Sequence, residues 1–132
     1  DGVADVDINE LINHHKTHKK FVTMTVVHGI GRFGELKLDE DDAVTVTSFE
    51  EKPKSNSAWI NGGFFVLEPE IFNYIENNNT IWERKPLETL AKERQLAAFK
   101  HPGFWQCMDT LRNKMYLDEL WISNNSLWKI WK

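Results

Sequence analysis

Apolar positions recur at helical spacing early in the chain. Ile8, Leu11, Ile12 and His15 fall on one face, and Asp7 stands where a side-chain cap is needed, so residues 7–18 are expected to form a helix. The pattern then changes. Phe21-Val22-Thr23-Met24-Thr25-Val26-Val27 is a continuous β-rich run, the signature of a strand buried on both faces. Strand, helix, strand would make a βαβ unit if a strand runs up to Asp1. Gly31-Arg32-Phe33-Gly34 reads as a turn. Residues 35–38 and 43–49 flank the acidic stretch Asp39-Glu40-Asp41-Asp42 and read as a hairpin. A polar loop, 54–57, precedes a strand over 59–67 that two glycines interrupt. Pro69 suits the first turn of a short helix over 70–75. An amphipathic helix over 83–94, a strand over 96–100 and a helix over 110–122 complete one compact α/β unit. There are no internal repeats.

Composition narrows the function classes. The 132 residues are enough for one domain with a moderate core, and 41% hydrophobic with 27% charged is ordinary for a soluble globular chain. A net charge of −4 leaves no Lys/Arg stripe to displace nucleic-acid counterions. The richest basic stretch, 14–20, reads as a solvated helix end. The single cysteine, Cys107, excludes an intramolecular disulfide and fits a reduced, cytoplasmic compartment, with a buried structural thiol the simplest reading. No apolar run approaches the length of a membrane span. The chain opens on Asp1-Gly2 without an initiating Met or a signal pattern, and truncation or incomplete coverage is expected.

Candidate chemistry sits at few places. Glu51 and Lys52, at a strand end before Pro53, suit sugar hydroxyls and a phosphate, although an exposed charged turn would carry the same residues. Asn61-Gly62-Gly63 implies a bulge or a close ligand approach to backbone. Asp1 and Asp109 are hard carboxylate donors of the kind Mg²⁺ takes alongside substrate phosphates. Asp109 alternatively caps the helix that follows it. His14, His15 and His18 lack a third ligand of known placement, and a partly exposed helix is the simpler reading. Trp121, Trp128 and Trp131 crowd the C-terminus and need burial on their own domain or on a neighbouring subunit.

Five segments carry a resemblance over essentially the whole chain. These are Asp1-Gly2-Val3-Ala4-Asp5-Val6, Gly31-Arg32-Phe33-Gly34-Glu35-Leu36, Glu50-Glu51-Lys52-Pro53, Trp59-Ile60-Asn61-Gly62-Gly63-Phe64-Phe65 and Phe104-Trp105-Gln106-Cys107-Met108-Asp109-Thr110. Together they resemble the sugar-phosphate nucleotidylyltransferase family, and the two Trp-containing segments resemble its glucose-1-phosphate cytidylyltransferase branch. The resemblance implies a Rossmann-like, GT-A-like mixed sheet with flanking helices, of which residues 1–132 are the C-terminal, sugar-phosphate-binding half. It implies CTP and glucose 1-phosphate as substrates, CDP-glucose and pyrophosphate as products, and a homo-oligomeric enzyme of nucleotide-sugar (lipopolysaccharide O-antigen) biosynthesis. It makes Asp1 and Asp109 the Mg²⁺ ligands, Lys52 and Asp109 catalytic, and Gly34, Glu51, Lys52, Asn61 and Gly62 substrate contacts. The family's Gly-rich nucleotide loop is not in these residues, so this stretch alone is expected to be inactive. A UTP- or dTTP-using relative and a non-catalytic sugar-phosphate-binding remnant are the alternatives.

Overall fold

The computed structural model describes residues 1–29 and 59–131 in full, and the backbone strands at 35–38 and 46–50. The chain groups into two compact units, one of residues 1–27 with 61–132, the other of 28–60, where the sequence led us to expect one.

In the first unit a short strand β1 (Gly2–Ala4) leads to helix α1 (Ile8–His18). The Asp7 carboxylate accepts from the Glu10 N–H at 3.0 Å, which satisfies one of the donors a helix start leaves open. Lys19 ends the helix in the left-handed region, at φ 53°. Strand β2 (Val22–His28) follows and is buried along most of its length, as its unbroken apolar run requires.

Strand β2 lies between β5 (Trp59–Leu67) and β6 (Leu96–Lys100). It runs parallel to β6, with Val22 opposite Leu96 and Val26 opposite Lys100. The Glu68 N–H donates to the Phe21 carbonyl at one end of β5, while Gly62 lies against Val27 at the other. Strand β5 therefore runs antiparallel to β2, and the sheet is mixed. Between β5 and β6, residues Pro69–Tyr74 form a 3₁₀ helix and Lys85–Lys92 form α2. Val22, Ile71, Leu87 and Leu90 make the core, with Phe21, Phe65, Tyr74, Trp82 and Leu96 packed around them.

Strand β1 does not join this sheet. It pairs antiparallel with β7 (Trp105–Cys107), directly before α3 (Leu111–Ile122). Within the described residues, the parallel crossover thus links β2 to β6 and not β1 to β2. In the second unit, β3 (Glu35–Leu38) pairs antiparallel with β4 (Val46–Glu50), with an irregularity between Lys37 and Leu38, as the expected hairpin requires. The acidic turn between them lies outside the described residues. The His28 and Trp59 rings stack with centroids 3.8 Å apart.

Candidate active site

The β1–β7 ladder brings together the two ends of the first unit. Gly2 faces Cys107, Val3 faces Gln106 and Ala4 faces Trp105. The Met108 N–H donates to the Asp1 carbonyl at 2.8 Å, so the pairing extends one residue beyond the strands. Asp109, one residue further along, is thereby set beside Asp1: its Oδ1 is 2.7 Å from the main-chain nitrogen of Asp1, which is the terminal amine of this sequence. Two carboxylate residues 108 positions apart in sequence thus share one strand end, and both side chains are largely exposed, at 87% and 63%.

Asp109 is not the cap of α3. Thr110 takes that place, its Oγ1 accepting from the Asn113 N–H at 3.2 Å. A hydroxyl one residue closer to the helix serves the N-terminal donor. The Asp109 carboxylate is thereby left pointing at the Asp1 end of the ladder.

The glycine segment adjoins the same ladder. The Trp105 indole N–H donates to the Gly62 carbonyl at 2.9 Å. Gly2 lies beneath that indole: a Cβ there would sit 2.9 Å from Nε1. A Cβ on Gly62 would meet Val27 Cγ1 at 3.0 Å and the Thr25 carbonyl at 3.1 Å, so close packing of the protein itself favours glycine. Gly63 adopts φ 84°, a backbone that favours glycine, and its N–H donates to Asn61 Oδ1 at 2.8 Å. The Asn61 side chain is thus turned onto its own backbone through its carbonyl, leaving its NH₂ as the end able to meet a hydroxyl. Gly34, Glu51 and Lys52 lie outside the described residues.

A second constellation ties the ladder to the main sheet. His101 Nε2 is 2.8 Å from Asp5 Oδ1 and 3.2 Å from the Phe104 carbonyl. Both partners are acceptors, so Nε2 carries the proton. The Asp5 N–H donates to the same Phe104 carbonyl at 3.2 Å, and the His101 N–H donates to the Val26 carbonyl at 2.9 Å. Sequence reasoning passed over this pair because Asp5 and His101 are 96 residues apart and neither falls in a familiar spacing.

The histidines of α1 also depart from expectation. His15 is buried, not solvated. The Lys20 N–H donates to His18 Nδ1, so in neutral His18 the proton is on Nε2, which donates to Thr23 Oγ1 at 2.7 Å. The Thr23 hydroxyl then donates to His15 Nδ1 at 2.7 Å, and His15 Nε2 donates to Glu68 Oε1 at 3.0 Å. Burial, then the nearby His15, His14 and Lys20, hold His18 below its ordinary value of 6.5. The signal available in sequence was His15 on the apolar face of α1. No group of three or more His, Cys, Asp or Glu among the described residues is arranged to hold a metal ion. Cys107 is half-buried.

The donor chemistry at Asp1 and Asp109 fits a hard divalent cation. Two exposed carboxylate side chains at one strand end are of the kind Mg²⁺ uses when substrate phosphates and water complete its shell. A cage of three or more protein donors is not needed for that mode.

Residues 1–113 match the family model for nucleotidyl transferase. The chain is 52% identical over 132 residues to glucose-1-phosphate cytidylyltransferase of Salmonella typhi, covering all of this chain and 50% of that protein. It is 32% identical to mannose-1-phosphate guanyltransferase of Saccharomyces cerevisiae, covering 98% of this chain and 36% of that protein. Among solved structures, HddC from Yersinia pseudotuberculosis superposes with a TM-score of 0.58 at 20% identity, over 92% of this chain and 52% of that one. The chain spans about half the length, or less, of these relatives. No described helix is long and apolar enough to cross a membrane.

Proposed function

Because this chain belongs to the nucleotidyl transferase family, we propose that it is the sugar-phosphate-binding half of a cytoplasmic, Mg²⁺-dependent glucose-1-phosphate cytidylyltransferase. The observation that carries this reading is the β1–β7 register, which sets Asp1 and Asp109 at one end of the ladder, with the Asn61-Gly62 segment joined to that ladder through Trp105. The 52% identity to the Salmonella typhi enzyme supports the choice of CTP and glucose 1-phosphate.

In this reaction a phosphate oxygen of glucose 1-phosphate attacks the α-phosphorus of CTP in line. The bond from that phosphorus to the β-phosphate bridge breaks, and CDP-glucose and pyrophosphate result. No covalent enzyme intermediate is needed, so catalysis is positioning and charge neutralisation. Asp1 and Asp109 would hold Mg²⁺, which neutralises charge accumulating on the departing pyrophosphate. The Asn61 NH₂ donates to a glucose hydroxyl. Gly34 and Glu51 contact the sugar, and the Lys52 ammonium meets its phosphate as a point charge.

The test is pyrophosphate release from glucose 1-phosphate by the complete enzyme, with CTP, UTP and dTTP compared at equal concentration. CTP is expected to give the highest kcat/KM. Preference for UTP or dTTP would move the assignment to another branch of the family. Release with none of them would favour a sugar-phosphate-binding module without catalysis.

A further inference from the structure

Strands β1 and β7 contribute three residues each to a two-stranded ladder. A ladder that short is marginal by itself, so its register must be held from outside. Register matters here because a slip of one residue turns every side chain of the strand to the opposite face and separates Asp109 from Asp1.

Two external ties stand out among the described residues. One is the Trp105 indole, which lies over Gly2 and donates to the Gly62 carbonyl. The other closes the end opposite the carboxylates. There the His101 Nε2–H is shared between the Asp5 carboxylate, just after β1, and the Phe104 carbonyl, just before β7. His101 itself is anchored to the main sheet through its N–H on Val26. Its side chain is only 9% exposed, so the hydrogen bond to a carboxylate is made with little competition from water. Gly103 lets the pair close: a Cβ there would stand 2.5 Å from Asp5 Oδ1 and 2.7 Å from His101 Cε1.

We propose that His101 is a positioning residue for the metal-binding carboxylates, acting through Asp5 and Phe104 to fix the register that brings Asp109 to Asp1. This rests on the reading of Asp1 and Asp109 as cation ligands. Among the described residues His101 is bonded to Asp5, Phe104 and Val26 and not to Asp1 or Asp109, so its effect should appear in cation affinity before it appears in turnover at saturating cation.

The experiment titrates Mn²⁺ into the complete enzyme in the presence of CTP, following the free-ion electron paramagnetic resonance signal, alongside the Mg²⁺ dependence of pyrophosphate release. His101→Ala is expected to weaken Mn²⁺ binding by about tenfold or more, the usual scale for removing a group that orients a metal ligand. His101→Gln, whose amide NH₂ can reach the position of Nε2, is expected to recover most of the loss. Gly103→Ala, which keeps both partners but wedges them apart, is expected to weaken binding to a similar extent, and it carries the test if His101→Ala does not fold. Unchanged Mn²⁺ affinity in a folded His101→Ala or Gly103→Ala protein would overturn the proposal. Asp109→Asn is the control. If it shifts Mn²⁺ affinity while the other two do not, only the positioning role fails. If it shifts nothing, the cation-site reading fails with it.

Discussion

Thr23 and Thr25 sit two residues apart on β2, both fully buried, and their hydroxyls have opposite fates. Thr23 bridges His15 and His18, whereas the Thr25 hydroxyl has no hydrogen-bond partner among the described residues. Thr23→Val should therefore cost about 1–3 kcal/mol in urea unfolding, since it strands the buried ring nitrogen of His15 and the part-buried one of His18. Thr25→Val should be neutral or stabilising, because it removes an unpaired buried hydroxyl of the same shape. Equal effects would mean that the bridge is not stabilising. His18 gives the bridge a pH dependence. Its folded value lies below 6.5, so the unfolded chain binds the extra proton first. The stability it contributes is complete above pH 6.5 and is lost as pH falls through the lowered folded value. His18→Gln retains an NH₂ donor for Thr23 without titrating. The acid-side decline in urea midpoint should be shallower in that variant, and an identical decline would show that His18 is not responsible. The same scale explains a misreading. A Ser/Thr/Asp/Asn signal marks a helix start, but Asp109-Thr110 offers two candidates in succession, and only the backbone geometry selects Thr110.

Elements set by short-range pattern were legible in the sequence. The cap at Asp7, the buried run of β2, the β3–β4 hairpin and the interrupted strand β5 all follow from spacing within a dozen residues. Pairing across long separations was not legible. Nothing local to Gly2–Ala4 says that it joins Trp105–Cys107 antiparallel and leaves β2 to pair with β6. The Pro69 signal predicts a short helix without specifying its type, and Pro69–Tyr74 form a 3₁₀ helix, a difference that periodicity over six residues cannot resolve. The site shows the same division. Asp1, Asp109, Asn61 and Gly62 could be nominated from motifs, but the contacts that assemble them are tertiary: the indole of Trp105 on Gly62 and the Asp5–His101 pair. The glycines test whether β5 is shaped by packing. Gly62→Ala forces a Cβ against Val27 and the Thr25 carbonyl and should cost about 1–3 kcal/mol by overpacking. Gly63→Ala meets no neighbour within 4 Å and should cost about 1–2 kcal/mol for its positive φ alone. Urea unfolding of both variants checks this. If Gly62→Ala were fully tolerated, room for a ligand and not packing would account for the glycine.

At the scale of the molecule, helix α3 stands out for what it leaves uncovered. Leu117 is buried, but Leu111, Met115, Tyr116 and Ile122 are exposed, and with Arg112, Asp118, Glu119 and Ser123 they line an open apolar groove. The tail is only partly accommodated. Trp128 stacks between Phe104 and Trp121, at 5.8 and 6.4 Å, while Trp121 and Trp131 remain about half exposed. Apolar surface of this kind promotes association. Residues 1–132 alone should therefore scatter light as more than a monomer, and Ile122→Glu with Leu111→Glu should shift the population toward monomer. A monodisperse monomer before mutation would contradict this.

The most direct test of the whole account is the Mg²⁺ dependence of pyrophosphate release by the complete enzyme carrying Asp109→Asn, with CTP and glucose 1-phosphate saturating. Removing one charge-stabilising group from the pair should lower turnover by about 10²-fold or more and raise the Mg²⁺ concentration needed for half-activity. The Thr110→Ala control should cost about 1 kcal/mol of stability and leave turnover near normal. Near-normal turnover and Mg²⁺ dependence in folded Asp109→Asn would contradict the claim that Asp1 and Asp109 form the cation site.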